Sequence, residues 1–299
     1  MFRRIVVGHD LHEGGSDALA LARLIAGAAN AKLVIAGVFP IGMLPRGFDA
    51  RWREHEEQVA AEIQAIADGA GAEPEAFPST SPARGLHELA EETDADLIVV
   101  GSSRHAKIGQ ILGGNVGLGL LQGSPCAVAV APRGYREEAP NALGRIAVGF
   151  DGGYECGLAL RGAVEMARAA GAALELIAVA VPSAVIGRGA IVGRDLEEAI
   201  ETQLRRQLED LARWIRDDVS ANTVVLCGDP VRLLADAATD ADLLVVGSRG
   251  YGPLRRVLLG STSAGLVRSA RCPVVVYPRA TRADPGRTGS ARDQSAGSS

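Results

Sequence analysis

The sequence predicts an α/β protein built from two tandem doubly wound domains. Three observations lead to this fold class. The chain of 299 residues is long enough for about two domains of ordinary size. Two separate sequence patterns each occur twice, about 140–146 residues apart. Short runs of Val, Ile and Leu alternate with segments of helical apolar spacing, which is typical of parallel sheets covered by helices on both faces.

The internal duplication is the strongest of these signals. Arg4–Asp10 (RIVVGHD) recurs as Arg145–Asp151 (RIAVGFD), with five of seven residues identical. The segment DADLIVVGSS, which begins at Asp94, recurs as DADLLVVGSR from Asp240, with eight of ten identical. The spacing between copies grows from 141 to 146 residues, which predicts an insertion near Ile186–Asp195. We therefore predict domains over 1–132 and 145–279, a polar linker over 133–144, and a disordered Ser/Gly/Arg/Asp-rich tail over 280–299.

The second copy shows the predicted order of elements most clearly. Five short apolar runs have the length and composition of buried strands, and each of the first four is followed by a segment with helical spacing. Proline and glycine mark several of the boundaries. The strands are predicted at 145–150, 174–181, 222–227, 242–247 and 273–277, and the helices at 154–170, 195–217, 230–239 and 263–270.

Composition excludes several classes of protein. A net charge of −5 and a pI near 5.6 argue against a general affinity for nucleic acid or acidic membranes. No apolar run reaches the length of a membrane span, and the start MFRRIVVGHD is interpreted as a first strand, not a signal peptide. The four cysteines form no CxxC pair, which favours reduced, structural thiols in a cytoplasmic protein.

A candidate site lies where the strands of the second copy end, because doubly wound sheets bind ligands beyond their carboxyl strand ends. Asp151 ends the first strand and Gly247 ends the fourth. Glycines at Gly247 and Gly250 would let backbone N–H groups approach an anion, and Arg249 would add positive charge, as would Arg255 and Arg256 further along the loop. Ser261 is predicted to cap the next helix, whose first turn would attract phosphate. The alternative is an ordinary strand–turn–helix with a glycine cap.

The spaced pattern Gly247-x2-Gly250-x9-Gly260-Ser261, with VGFD, ADLLVVGSRG, LLGSTS and CPVVVYP around it, resembles the universal stress protein family. The resemblance covers about 1–279, as a tandem member. It implies five-stranded parallel sheets of order 3-2-1-4-5 and a site for ATP, with or without Mg²⁺. The cofactor-binding residues that it implies are Asp151, Val179, Gly247, Ser248, Arg249, Gly250, Gly260, Ser261, Thr262 and Ser263.

The first copy departs from this pattern. Arg104 stands where the second glycine is expected, Asn115 replaces the serine after Gly114, and SPARGL takes the place of the Gly228-x-Pro230 turn. In one interpretation this half has lost nucleotide binding and serves as a structural partner. In the other, Arg104 and Lys107 contact an anion in a different way. The weaker candidates of this half are Asp10, Gly101, Arg104, Gly114 and Asn115.

The resulting hypothesis is an ATP-binding protein of stress response or signalling. A nucleotide-independent interaction protein and a very slow ATPase remain as alternatives. No catalytic or metal-binding residue is predicted, since all five histidines lie in the first half and His9 and His12 are interpreted as packing and solvated residues. The last strands, Ala127–Ala131 and Pro273–Tyr277, are expected to join the two halves inside one chain or to join two chains.

Overall fold

The computed structural model describes residues 1–40, 49–102, 111, 115–181, 194–217, 219–248 and 260–278. Its first half alternates strand and helix as predicted, and a short helix follows in the linker. The elements of this part are β1 (Arg4–Gly8), α1 (Glu13–Ala29), β2 (Lys32–Pro40), α2 (Asp49–Ala70), β3 (Glu73–Ser79), α3 (Pro82–Glu92), β4 (Leu97–Gly101), α4 (Asn115–Leu121), β5 (Ala127–Ala131) and α5 (Tyr135–Glu138).

The second half repeats this order, and its strands lie within one or two residues of their predicted bounds. The insertion predicted at Ile186–Asp195 falls largely outside the described residues, as does the predicted tail. The elements are β6 (Arg145–Phe150), α6 (Tyr154–Ala170), β7 (Ala173–Ala180), α7 (Arg194–Ile215), β8 (Ala221–Cys227), α8 (Pro230–Ala237), β9 (Leu243–Gly247), α9 (Ser261–Ser269) and β10 (Val274–Tyr277).

One sheet of ten strands runs through the described residues, in the order β3-β2-β1-β4-β5-β10-β9-β6-β7-β8. Each half has the predicted order 3-2-1-4-5, with parallel neighbours. The halves meet where β5 and β10 pair antiparallel, with Val130 opposite Val274 and Val128 opposite Val276. The last strands therefore join the two halves within one chain. Because this pair is antiparallel, the strands of the two halves have their carboxyl ends on opposite sides of the sheet, at opposite ends of the strands.

Burial explains why the strands appear in the sequence as continuous apolar runs. Ile5 and Val7 of β1 face one core while Val6 between them faces the other, and all three have no exposed surface. Strands covered on both faces need apolar residues at every position and show no alternation. No helix in the described ranges has both the length and the apolar character to cross a membrane.

All four cysteines are free thiols, and three of them are buried: Cys126, Cys156 and Cys272. Burial raises the pKa of each of these three thiols to about 12. They are thus neutral packing residues at physiological pH, which agrees with their interpretation as reduced and structural.

The linker is packed more tightly than its polar sequence suggested. Tyr135, the first residue of α5, is buried against the core that contains α1. Asp17 of α1 accepts hydrogen bonds from the backbone N–H groups of Gly134 and Arg136, at 2.8 and 3.0 Å. A buried carboxylate thereby fixes the start of the linker to the first half.

Candidate functional site

The carboxyl ends of β6, β7 and β9 enclose a small cavity in the second half. β6 pairs with β9 in parallel, so the ends of the first and fourth strands lie side by side, as the sequence predicted. Asp151, Val179 and Gly247 line this cavity together with Thr262 and Ser263 of α9. The structure thus gathers residues that are far apart in the sequence into one location.

The inner wall of the cavity is apolar and its rim is polar. Ile177 and Val179 on β7 and Val246 on β9 form the wall, and Val181 and Leu234 extend it. Asp151 is exposed at the rim. A mostly apolar surface with a few polar groups is typical of sites that bind small molecules.

The cavity volume is about 70 Å³. Typical pockets that enclose a small ligand measure roughly 300–1,000 Å³. The described walls can therefore hold only part of a nucleotide-sized ligand, and the rest would extend along the strand ends. Arg249 and Gly250, which the sequence placed in this site, lie outside the described residues, as do Arg255 and Arg256.

Asp151 organises the turn between β6 and α6. One of its carboxylate oxygens, Oδ1, accepts a hydrogen bond from the backbone N–H of Gly153 at 2.9 Å. Gly152 between them has a φ of +76°, in the left-handed region that favours glycine. This turn holds the exposed carboxylate at the rim of the cavity.

Gly247 has a packing role that the sequence analysis did not foresee. A Cβ atom at this position would lie 2.7 Å from the backbone nitrogen of Cys156 and from the carbonyl carbon of Glu155. The first turn of α6 thus rests directly on the end of β9. Gly101 has the same role in the first half, where an added Cβ would collide with the backbone of Gly14.

The start of α9 differs in detail from the prediction. The capping residue is Gly260, with extended backbone, and Ser261 is the first residue of the helix, so the assignment of Ser261 as the cap is wrong. The hydroxyl of Ser263 is buried and donates to the carbonyl oxygen of Gly260 at 3.1 Å. Ser261 is exposed and Thr262 is half-buried, and the N–H groups of this first turn precede the first helical hydrogen bond.

Ser248 follows β9 and is almost entirely buried, with 2% of its surface exposed. Its backbone N–H donates to the carbonyl oxygen of Tyr277 at 2.8 Å. Ser248 therefore extends the link between β9 and β10 and lies beside the cavity, outside its lining.

Among the cavity residues that the sequence analysis missed, two have ionisable side chains. Glu155 and Cys156 in the first turn of α6 both line it, and both are buried. The Cys156 thiol donates to the carbonyl oxygen of Gly149 at 3.5 Å, and its raised pKa of about 12 excludes it as a nucleophile at neutral pH. The first copy has Gly14 and Gly15 at these positions, so the repeat gave no signal for them.

In the first half, the carboxylate of Asp10 is used to hold the start of α1. Its Oδ1 accepts hydrogen bonds from the backbone N–H groups of His12 and Gly15, at 3.0 and 2.9 Å. His9 is buried beside it, with its ring against Gly15. Asn115 is the first residue of α4, while Arg104, Lys107 and Gly114 lie outside the described residues.

The SPARGL segment has a structural counterpart after all. Ser81 caps α3 by accepting from the N–H of Arg84 at 3.3 Å, and Pro82 begins the helix. Asp229 and Pro230 do the same for α8. The cap and the proline are therefore common to both halves, although SPARGL replaces the glycine pattern of this turn. The difference between the halves is Gly228, with a φ of +146°.

His9 is expected to make the stability of the fold depend on pH. Its Nδ1 accepts a hydrogen bond from the N–H of Leu11 at 3.1 Å, and burial lowers its pKa below the ordinary 6.5, against the nearby charge of Asp10. Because the folded state takes up the proton at lower pH than the unfolded state, stability is complete above about pH 6.5 and falls as pH drops through that value to the folded pKa. We expect a lower melting temperature at about pH 5.5 than at about pH 7.5, and a smaller difference in His9→Phe.

Phe150 occupies the position of His9 in the second half, so this substitution uses a residue that the same fold accepts. Replacing the exposed His55 by Gln is the matched control and should leave the difference unchanged. An unchanged difference in His9→Phe would show that other groups cause the acid sensitivity.

Comparison with known proteins agrees with two doubly wound α/β domains in tandem. The sequence pattern described as the Universal stress protein family matches residues 1–132 and again 143–278. The chain therefore belongs to the universal stress protein family, as a member with two domains in tandem.

One relative agrees with this family, and two solved structures are similar to all or part of the chain. Universal stress protein Rv2319c of Mycobacterium tuberculosis is 30% identical, over 92% of this chain and 99% of its own length. The crystal structure of a universal stress protein from Archaeoglobus fulgidus has the same fold, with a TM-score of 0.67, 21% identity, and coverage of 92% of this chain and 95% of that one. A universal stress protein solved in complex with cAMP is 29% identical over 44% of this chain and 98% of its own, with a TM-score of 0.35.

Proposed function

We propose that the second half binds one adenine nucleotide, preferentially ATP, and that the protein acts in the cytoplasm as a nucleotide-dependent stress-response protein. The observation that carries this proposal is the convergence of Asp151, Val179 and Gly247 with the first turn of α9 around one cavity. The carboxyl ends of β6, β7 and β9 thus supply an apolar wall for the base and a helix N-terminus for the phosphates.

Each proposed contact follows from local chemistry. The base would pack on Val179, with the carboxylate of Asp151 beside its polar edge. The phosphates would meet the N–H groups after Gly260, beside Ser261, Thr262 and the buried Ser263, together with the Arg249 and Gly250 loop. Gly247 and Ser248 would position this loop relative to the strand.

The first half is proposed to have a structural role. Asp10 already holds two backbone N–H groups of its own loop, and His9 packs beneath them. The first half also has Arg104 and Asn115 at the positions of Gly250 and Ser261 in the second half. The two halves would then form an internal pseudo-dimer with one working site.

Measuring the nucleotide content of the purified chain tests this proposal. The protein is denatured, and the released nucleotides are separated by ion exchange against ATP, ADP, AMP and cAMP standards. We expect close to one ATP per chain. Close to two would show that the first half also binds, and none, even after incubation with ATP and Mg²⁺, would contradict nucleotide binding.

A Ser261→Glu variant separates loss of binding from loss of fold. A carboxylate in the first turn of α9 favours the helix dipole by about 0.3–1 kcal/mol, so the fold should be retained, but it repels phosphate. The variant should contain no ATP and melt no lower than the empty wild type. Gln122→Glu, at an exposed position of the first half, is the control for the added charge and should keep its ATP.

A further inference from the structure

The two outer edges of the ten-stranded sheet differ in their chemistry. Because β5 and β10 pair inside the chain, the edges of the sheet are β3 and β8. β3 (EPEAFPS) contains Pro74 and Pro78 and two glutamates, which are devices that keep edge strands from pairing. β8 (ANTVVLC) has neither proline nor charge. Only the β8 edge is chemically suited to accept another strand.

The backbone of β8 shows which of its groups face outward. The carbonyl oxygen of Ser220 accepts from the N–H of Leu174 at 2.8 Å, and the N–H of Gly228 donates to Ala180 at 2.9 Å. In a parallel pair, alternate residues direct both backbone groups to the neighbouring strand. The even-numbered residues therefore face β7. Ala221, Thr223, Val225 and Cys227 direct their N–H and carbonyl groups to the outer edge, where the described part of the chain places no strand.

Helix α7 borders this edge with charged side chains. A groove between α7 and β8 is lined by Glu209, Arg213 and Arg216 on the helix and by Asn222 and Thr223 on the strand. Helical periodicity continues the same strip of α7 through Arg205 and Glu198. All of these charged side chains are exposed.

Acidic and basic side chains of this strip lie at equal distances on either side of one position of α7. Glu198 and Arg216 lie nine residues before and after position 207, and Arg205 and Glu209 lie two residues before and after it. Two antiparallel copies of α7 would therefore place each acid beside a base of the other copy. None of these four residues forms an ion pair within the described part of its own chain, whereas Arg213 pairs with Asp210.

Helix α7 and strand β8 indicate the same position for a two-fold axis. α7 runs antiparallel to β8, and one strand residue spans about the rise of two helical residues. Since residues 209–216 lie beside 222–223, position 207 lies level with Val224 and Val225. An axis through Val224 would place Thr223 opposite Val225 of the second copy, and both have outward backbone groups.

The fold already contains one antiparallel strand pair with two helices packed side by side on one face. The antiparallel pairing of β5 with β10 places α1 against α6 on one face of the sheet. A two-fold axis perpendicular to the sheet at β8 would bring α7 of each copy together in the same way.

We propose that the β8 edge and the α7 strip form a two-fold interface between two copies of this chain. The two sheets continue into each other through antiparallel β8 strands, and Glu198 and Arg205 of each copy pair with Arg216 and Glu209 of the other. This interface does not depend on nucleotide binding, because none of its residues lines the cavity at the ends of β6, β7 and β9.

Sedimentation velocity of the full chain, from low to high micromolar concentration, tests the strand contact. We expect the wild type to form a dimer and Val225→Pro to remain a monomer, because proline removes an outward N–H without removing a bond to β7. Ala76→Pro places the same change on the β3 edge and should leave the dimer intact. A wild type that is monomeric throughout, or a Val225→Pro variant that associates like the wild type, would overturn the proposal.

A charge exchange tests the helix contact. Glu198→Arg and Arg216→Glu should each weaken the dimer at least tenfold, and the double variant should restore it. The two positions are about 27 Å apart along one helix, so they can pair only between chains. A double variant that dissociates as readily as the single ones would contradict the predicted pairing. Circular dichroism of each variant confirms that α7 is retained.

Discussion

Gly247→Ala is expected to lower the free energy of unfolding by about 2–3 kcal/mol, even when no nucleotide is present. The added methyl group would lie 2.7 Å from the backbone of Glu155 and Cys156. A flexible side chain could move aside, but the first turn of α6 is backbone and is fixed to the sheet by the buried Cys156. The end of β9 and the helix must therefore separate, which opens packed core.

Thermal unfolding of nucleotide-free protein measures this effect, and Gly157→Ala is the matched control. Gly157 lies on the same helix, and a Cβ added there meets nothing within 4 Å. Alanine should stabilise the helix at this position by up to about 1 kcal/mol, because glycine is a poor helix former. If Gly247→Ala instead melted like the wild type and lost only ATP, the glycine would serve the ligand alone.

The first glycine of the family pattern has a packing role in this chain. The sequence alone indicates that Gly247 lets a phosphate approach the backbone. The structure shows a helix that already approaches it, and the first half keeps Gly101 for the same reason. The retention of this glycine in both copies therefore indicates a requirement of the fold, which explains why it gives no information about binding in the first half.

Much of the fold could be predicted because it depends on local patterns. Continuous apolar runs indicated strands buried on both faces, and α6 has the bounds that its apolar spacing predicted, Tyr154–Ala170. The repeat predicted that the halves share one topology. The pairing of β5 with β10 could be proposed but not decided, since two apolar last strands can pair within a chain or between chains.

The candidate site was less predictable because it is formed by long-range contacts. Asp151 and Gly247 were found because each marks the end of a strand, and Val179 was implied by the resemblance to the family. Glu155 and Cys156 carry no such mark, and they reach the cavity only because α6 begins directly over β9. The cap of α9 was placed one residue too late, since glycine and serine both suit that position and a single sequence does not distinguish them.

Asp17→Ala is the second large effect that we expect, with a loss of about 3 kcal/mol. Asp17 has no exposed surface, and its two carboxylate oxygens accept from the N–H groups of Gly134 and Arg136. Hydrogen bonds to a charged group contribute about 1.5–3 kcal/mol each, and the alanine variant leaves both N–H groups without an acceptor. Asp17→Asn keeps the shape and one accepting oxygen, so it should lose less.

Thermal unfolding and amide hydrogen exchange together measure this effect. The N–H groups of Gly134 and Arg136 should exchange much faster in Asp17→Ala, while those of β5 and β10 keep their protection. Glu13→Ala is the control, because Glu13 is 60% exposed and its contacts with Arg133 and Arg136 are surface ion pairs worth less than about 1 kcal/mol. Equal losses in the two variants would show that the buried carboxylate does not hold the linker.

The second copy explains why an acid is needed at this position of the first. Leu158 occupies the place of Asp17 on α6, where it packs in the apolar core with 7% of its surface exposed. The chain that leaves β5 must turn and enter the second half, and the N–H groups of Gly134 and Arg136 lie against α1 without strand partners. A carboxylate at Asp17 satisfies them, at the cost of burying a charge that α6 avoids. The acid at Asp17, where the second copy has Leu158, therefore reflects a contact with the linker that the first half makes.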